Sequence, residues 1–419
     1  MSEFNILLSL ILILSGITAS KYLIYVLTSP FYSLNKARFL KASNGFLDGE
    51  VENRVKISVV VPAWNEEVGI INAVRSLLQS NYKNLEVIVV DDGSIDRTYE
   101  LVEKFAKNEA RDYTYCGKKL LYFKKTNGGK GSALNFGIKK ASGDVVVTMD
   151  ADTVFDKNAL SVVARYFINK KLDAAVGNVK VANSHSLLGI IQQIEYTVGF
   201  YFKRTHSIFN SEYIIGGAFG AFRKEVFEKY GYFDEVNMTE DIELSTRLQV
   251  NGCTIAFIED AIAYTEGPAT IGGLAKQRLR WKKGRLDTFI KHRELFFSKN
   301  NKHSKFLTHF LLPITLFYEV ELIIEPFLTI FGVFYIYQTH EYKAFLIWVL
   351  FTGIINTIAF LFGSKKNSKA AFAFVPLYFL LSYVLTFIEV YAMYTSIKLI
   401  LTKKDTKWQR WDRKGVAIS

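Results

Sequence analysis

Asp150 and Asp152 stand two residues apart at the end of a β-branched run, Asp144-Val145-Val146-Val147-Thr148-Met149. On an extended exit, carboxylates at i and i+2 point to one side, and together they can hold a divalent cation against a diphosphate. A turn carrying two helix-capping acids would use the same residues, so the neighbouring motifs decide. Asp91-Asp92-Gly93-Ser94 closes a second such run in the same way, and Asn127-Gly128-Gly129-Lys130-Gly131 is a flexible loop that carries a cation. Its glycines would let the backbone approach a diphosphate, and Lys130 would add positive charge. A Walker P-loop needs Ser or Thr after the lysine and a different glycine spacing, which this loop lacks.

Three further segments have residue types suited to chemistry. Met238-Thr239-Glu240-Asp241 precedes an amphipathic stretch, Ile242 to Val250. Helix capping accounts for acids there, while Asp241 also has the makings of a general base, ionised at neutral pH and able to take a proton from a hydroxyl. Ile214 to Phe222, with Gly216, Gly217 and Gly220 among aromatics, is either a buried glycine-rich turn or a platform for a sugar ring. Gln277-Arg278-Leu279-Arg280-Trp281 is either an interfacial helix anchored in headgroups or a clamp. As a clamp, Arg280 would pair with diphosphate oxygens, Gln277 would hydrogen-bond and Trp281 would stack on an acceptor ring.

The elements that must position these residues belong to an α/β unit running from about Val55 to Ala263. Ile57 to Val61, Glu86 to Val90 and Asp144 to Met149 read as buried strands of a largely parallel sheet, with helices over Val68 to Leu78 and Thr98 to Asn108 between them. The strands end at Asn65-Glu66-Glu67, Asp91-Asp92-Gly93-Ser94 and Asp150-Ala151-Asp152. In open α/β sheets ligands bind outside the carboxyl ends of strands, so the three ends are expected to converge on one site.

Composition places this unit at a membrane. Half of the 419 residues are hydrophobic, 22% are charged and the mean hydropathy is +0.13, which excludes a disordered or collagen-like chain. Phe4 to Val26, about 23 residues with Lys21 the one charge, suits a bilayer crossing. No positive n-region precedes it and the apolar run continues past the small residues Thr18-Ala19-Ser20, which favours a span over a cleaved leader. Apolar runs return at Phe306 to Tyr337, Ala344 to Phe362 and Ala370 to Leu401. The formal charge of +12 is concentrated beside them: 276–305 has eleven Lys/Arg against two acids, and 402–419 has six against two. This basic collar predicts a cytoplasmic catalytic unit and tail, facing anionic headgroups, and argues against a nucleic-acid partner. Three single crossings would place the tail outside, so one run is expected to be broken or re-entrant, with Pro313, Pro326 and Pro376 as break points. Two cysteines, Cys116 and Cys253, cannot build a disulfide framework or a four-thiolate zinc site and favour a reducing compartment.

Seven segments stand in one order: Pro62-Ala63-Trp64-Asn65-Glu66, Asp91-Asp92-Gly93-Ser94, Lys130-Gly131-Ser132-Ala133-Leu134-Asn135, Asp150-Ala151-Asp152, Gly217-Ala218-Phe219-Gly220-Ala221-Phe222-Arg223, Thr239-Glu240-Asp241 and Gln277-Arg278-Leu279-Arg280-Trp281. Together they resemble the membrane-integrated, processive family 2 glycosyltransferases, a group that includes poly-N-acetylglucosamine, hyaluronan, chitin and cellulose synthases. The third and fifth segments are most similar to the poly-β-1,6-N-acetylglucosamine branch. The resemblance implies an α/β GT-A type nucleotide-sugar domain inserted between transmembrane helices, with interfacial amphipathic helices. It implies an inverting transfer from a UDP-sugar, UDP-N-acetylglucosamine being favoured, to a growing polysaccharide. Hyaluronan-type or chitin-type synthesis, or addition of one sugar to a lipid by a non-processive enzyme, are the alternatives.

Residue by residue, the resemblance implies that Ala63, Glu66 and Asp92 contact the nucleoside, Lys130 the nucleotide and Asp150 the diphosphate, while Asp152 ligates Mg²⁺ or Mn²⁺. Asp241 would be the base, Gly217 and Glu240 would border the substrate, and Gln277, Arg280 and Trp281 would hold diphosphate and acceptor. The implied division is 1–30 a transmembrane helix, 31–54 a juxtamembrane linker, 55–265 the catalytic domain, 266–305 basic interfacial helices, 306–401 three to four membrane segments and 402–419 a basic cytoplasmic tail. The expected setting is the cell membrane, multi-pass, with lipid contacts and room for an accessory subunit or a homo-oligomer. Built-in cyclic-dinucleotide control is not expected.

Overall fold

The β-branched runs form the centre of an eight-stranded sheet in the computed structural model, which describes residues 3–110, 117–184, 186–363, 369–402 and 415–416. Cys116 and most of the basic tail lie outside the described residues. The strands are β1 Ile57–Ala63, β2 Leu85–Asp91, β3 Lys118–Lys124, β4 Val145–Thr148, β5 Thr153–Phe155, β6 Ala174–Val181, β7 Gly220–Arg223 and β8 Ile255–Thr265, in the spatial order β3-β2-β1-β4-β7-β6-β8-β5. Only the β3-β2-β1-β4 half is uniformly parallel. β7 runs antiparallel to both β4 and β6, and β5 antiparallel to β8, while β6 and β8 pair in parallel, so the sheet is mixed but largely parallel, as expected. The parallel half needs crossover helices, whereas β7 follows an irregular 209–219 segment that lets the chain reverse beside β4.

In chain order the helices begin with α1 Glu3–Thr28, α2 Tyr32–Leu40, α3 Asp48–Arg54, α4 Ile70–Leu78, α5 Thr98–Asn108, α6 Lys130–Lys140, α7 Ala159–Phe167 and α8 Leu187–Ile208. They continue with α9 Glu225–Tyr230, α10 Glu240–Val250, α11 Ile271–Lys291, α12 Leu312–Thr339, α13 Lys343–Gly363, α14 Lys369–Phe374 and α15 Tyr378–Thr402. Every residue of β1 and β2 is buried. Alternate side chains go to opposite faces: Val59, Val61, Val87 and Val89 pack with Ile70 and Leu77 of α4 and Leu160 of α7. Val60, Ile88, Val90 and Val146 pack with Leu134 and Ile138 of α6 and Leu244 and Leu248 of α10. Each such side chain contributes about 1.5–3 kcal/mol of hydrophobic stabilisation, so the strand ends stand on a rigid base.

α8 joins this unit to the apolar helices. Its Ile194 and Val198 belong to a third core with Tyr25 of α1, Phe289 of α11, Leu311 and Leu312 at the start of α12, and Ile355 and Ala359 of α13. Four stretches, Ile6–Ser43, Leu307–Thr339, Lys343–Gly363 and Lys369–Thr402, are long and apolar enough to cross a membrane. Pro376 lies in the turn Val375–Leu377 that separates α14 from α15, so the last run is broken there. Pro313 stands in the first turn of α12, and Pro326 lies inside α12 without ending it.

Candidate active site

At the carboxyl end of β2, Asp92 is buried and its carboxylate accepts hydrogen bonds from the backbone N–H of Gly128 (3.0 Å) and Gly129 (2.8 Å), with the Lys125 ammonium 2.6 Å away. Gly129 has φ +88°, a conformation that favours glycine, and it delivers the chain into α6. These two N–H groups hold Asp92, and the loop itself, Asn127 to Lys130, lines the same cavity. Lys130, in the first turn of α6, extends its ammonium to Asp150 (2.6 Å) and Glu240 (3.3 Å). Burial opposes its charge, but the Asp150, Glu240 and Asp241 carboxylates outweigh burial and raise the ammonium above its usual range. Asp152, buried two residues beyond Asp150, accepts from the Thr265 hydroxyl of β8.

Asp241 lies in the first turn of α10, which starts at Glu240 and not after the acids as the sequence suggested. Thr239 makes no side-chain cap, but Glu240, Asp241 and Glu243 all stand in the first turn of α10, where a helix N-terminus favours acids. The Asp241 carboxylate accepts from the Gly217 N–H (2.8 Å) at one oxygen and from the Ile242 N–H (2.9 Å) at the other. Glu240 is buried behind it, and burial together with the Asp241 charge lifts its carboxyl above the usual range despite Lys130. The glycine-rich segment thus supplies a backbone donor. Phe219 and Phe222 are fully buried in the sheet cores, which corrects any role for them as stacking surfaces.

α11 presents Gln277, Arg280 and Trp281 to the same space. Gln277 is buried and its side-chain oxygen makes no hydrogen bond among the described residues. Arg278 lies 4.6 Å from the centre of the Trp281 ring and pairs with Glu195 of α8 (2.6 Å) and Glu389 of α15 (3.3 Å). Lys282 pairs with Glu319 and Glu389, each at 2.7 Å, and Arg285 with Glu319 at 2.8 Å. Arg278, Lys282 and Arg285 of the collar therefore form an internal ion-pair network tying α11 to α8, α12 and α15. For Arg278, Lys282 and Arg285 the headgroup expectation is corrected: removing such charges from water requires partners, and the apolar helices supply them.

One cavity of about 1000 Å³ is lined by Ala63, Glu66, Asp92, Lys130, Asp150, Asp152, Gly217, Asp241, Gln277, Arg280 and Trp281. Glu240 stands behind Lys130. The family model described as Glycosyl transferase family 2 matches residues 58–231, and that described as Glycosyl transferase family group 2 matches residues 145–402, more than half of the chain. The chain belongs to glycosyl transferase family 2. It is 33% identical over 296 residues to a poly-beta-1,6-N-acetyl-D-glucosamine synthase of Staphylococcus epidermidis, covering 70% of this chain and 67% of that one. The Staphylococcus aureus protein of the same name is 34% identical over 263 residues, 62% of this chain and 60% of that one. Among solved structures, the mannosyltransferase PcManGT from Pyrobaculum calidifontis, in complex with GDP-Man and Mn2+, aligns with a TM-score of 0.54 at 18% identity over 93% of this chain and 98% of that chain. This likeness shows the fold, which is of the GT-A type.

The cavity of this family 2 glycosyltransferase also has walls that sequence reasoning missed: Glu195, Tyr196, Lys203 and His206 of α8, Glu212 and Tyr213 after it, and Glu389 of α15. A signal for the α8 members existed, since 195, 196, 199, 203 and 206 fall on one helical face. Glu389 had none, being a single acid inside an apolar run.

Proposed function

We propose that this glycosyltransferase is processive and inverting, that it polymerises a β-linked polysaccharide from a UDP-sugar, UDP-N-acetylglucosamine being the donor, and that it exports the product through the cell membrane. One observation carries the reading. Asp241, oriented by the Gly217 N–H, faces the same cavity as the strand-end acids and the Gln277-Arg280-Trp281 face of α11. The names of the Staphylococcus relatives, poly-beta-1,6-N-acetyl-D-glucosamine synthases, support the sugar and the polymeric product. On this reading 55–265 is a cytoplasmic catalytic domain, 1–30 and 306–401 span the bilayer, 31–54 links the first span to the domain, and 266–305 lies at the interface.

The residues suit the reaction. Ala63, Glu66 and Asp92 line the nucleoside end of the cavity, Lys130 and Arg280 offer positive charge to the diphosphate, Gly217 borders the donor sugar with Glu240 supporting Lys130 from behind, and Gln277 and Trp281 hold the acceptor. The Asp241 carboxylate takes the proton of the acceptor hydroxyl as that oxygen forms its bond to the anomeric carbon. The bond from that carbon to the diphosphate oxygen breaks on the opposite face, its electron pair leaves with UDP, and configuration inverts. Asp241 then returns the proton to water. Asp150 and Asp152, two carboxylates that line the cavity, would hold the divalent cation, and no group of three or more His, Cys, Asp or Glu forms a separate site among the described residues. When bound, Mg²⁺ or Mn²⁺ would neutralise developing charge on the diphosphate.

The test is a screen of labelled UDP-sugars on the purified full chain, with product digestion by linkage-specific glycosidases. Polymer of growing length from UDP-N-acetylglucosamine is expected. A single-sugar, lipid-linked product would overturn the reading.

A further inference from the structure

Between α8 and β7 the chain runs from Ser211 to Gly216 without helix or strand, yet Ser211, Glu212, Tyr213, Ile215 and Gly217 are buried. Buried backbone N–H and C=O groups need partners, and side chains of α10 supply several of them. The Gln249 amide donates to the Glu212 carbonyl (2.9 Å), the Ser245 hydroxyl accepts from the Ile215 N–H (2.9 Å), and the Asp241 carboxylate accepts from the Gly217 N–H (2.8 Å). Asp241, Ser245 and Gln249 follow one another at intervals of four residues, so they stand in one row on α10. The row holds this irregular segment as a paired strand would.

Ser245 is the middle member of the row and touches both sides of the Asp241 contact. It is fully buried; while its oxygen accepts from Ile215, its own proton goes to the backbone carbonyl of Asp241 (2.5 Å). One hydroxyl therefore ties the chain two residues before Gly217 to the backbone of Asp241 itself. Helix formation does not call for this residue: alanine suits a helix interior better, and a serine that bonds back to the carbonyl four residues earlier slightly disfavours the helix. The loop has no slack on its other side. A Cβ on Gly217 would lie 2.5 Å from the Lys130 Nζ and 3.5 Å from the Asp241 Oδ2, so the segment is confined between α6 and α10. Ile215 belongs to the same core as Leu244 and Leu248 of α10, which fixes its side chain but leaves its N–H to Ser245.

We propose that Ser245 is a positioning residue for the transfer reaction: its hydroxyl sets where the Gly217 N–H meets the Asp241 carboxylate, and so where that carboxylate stands in the cavity. This role rests on Asp241 being the base, as proposed above. Ser245 lies behind the cavity wall with no exposed surface of its own, and it acts through Asp241 and the loop. Its removal would leave the Ile215 N–H without its acceptor and let the Gly217 N–H drift from the Asp241 oxygen. Displacements of about 1 Å in such a contact cost up to about 10²-fold in rate.

The test measures UDP release from UDP-N-acetylglucosamine by the full chain in lipid nanodiscs, for wild type, Ser245→Ala, Asp241→Asn and the two substitutions combined. Ser245→Ala is expected to lower kcat by about tenfold, while KM for the UDP-sugar and UDP affinity by calorimetry change by less than about twofold. In the Asp241→Asn background the same alanine is expected to change the remaining rate by less than about twofold, because the carboxylate that Ser245 positions is gone. A serine with a structural role alone would lower the rate by the same factor in both backgrounds. That result, or a wild-type kcat for Ser245→Ala, overturns the positioning role and leaves the reading of Asp241 intact. Should alanine abolish UDP binding, Ser245→Cys, which keeps the shape with a weaker hydrogen-bonding group, takes its place in both backgrounds with the same outcomes. Undiminished release by Asp241→Asn overturns the base and, with it, the role of Ser245.

Discussion

Asp241 has an oxygen on the Gly217 N–H and stands among Lys130, Glu240 and Arg280, a setting that holds its carboxylate at the cavity wall. Replacing it with Asn retains the hydrogen-bond acceptor toward Gly217 and removes the proposed base. Asp241→Asn is expected to lower UDP release in the presence of acceptor by about 10²–10⁴-fold with UDP affinity little changed; undiminished release would show that another group takes the proton. Lys130 serves two carboxylates at once, so Lys130→Met removes their shared counter-charge. Calorimetry should show UDP binding about tenfold weaker or worse, the scale of one lost charge-assisted hydrogen bond. Both residues were legible as candidates from type and spacing. Their pairing with Glu240 was not, because a contact between 130 and 240 is set by the sheet and leaves no trace in local spacing.

At the scale of elements, the chemistry depends on how α10 meets α11. Gly284 is the crossing point: a Cβ there would come within 2.1 Å of the Thr239 hydroxyl oxygen, immediately before Glu240 and Asp241. Gly284→Ala must push Thr239 or the helices apart, and overpacking of this kind costs about 1–3 kcal/mol. A lower melting temperature and a lower transfer rate are expected, both partly restored by adding Thr239→Ala. Restoration by the second substitution tests the contact itself, since independent sites would simply add. The sequence showed α11 as a basic stretch with two readings, headgroup anchor and clamp. It could not show that Arg278, Lys282 and Arg285 turn inward, because their partners Glu195, Glu319 and Glu389 lie on three separate helices.

Across the molecule, charge ties the base helix to the end of α11. Glu243 of α10 is fully buried and accepts from Arg247 (2.9 Å), Lys291 (2.9 Å) and His292 (3.0 Å). Burial alone would raise its carboxyl, but these partners hold it at about 2, below the ordinary value of about 4.3 for an unfolded chain. A carboxyl depressed in the folded state stabilises the protein fully above the unfolded value, and that contribution is lost as pH falls from there toward about 2. Thermal melts should therefore find Glu243→Gln less stable than wild type at pH 7, with the difference narrowing as pH drops below about 4. A difference independent of pH would exclude this linkage. Local chemistry was decided by the sequence itself: β-branched runs with acids at their ends, apolar runs long enough to span a bilayer, and motifs whose order marks family 2. Residue type and short-range spacing suffice for these because strands, turns and spans are set within a few residues. The tertiary structure alone decided that the sheet is mixed, that Asp92 takes two N–H groups of the glycine loop, that Arg278, Lys282 and Arg285 pair inward, and that the cavity runs on along α8. Each of those depends on partners scores of residues apart, which only the packing of both sheet faces and the apolar helices brings into contact.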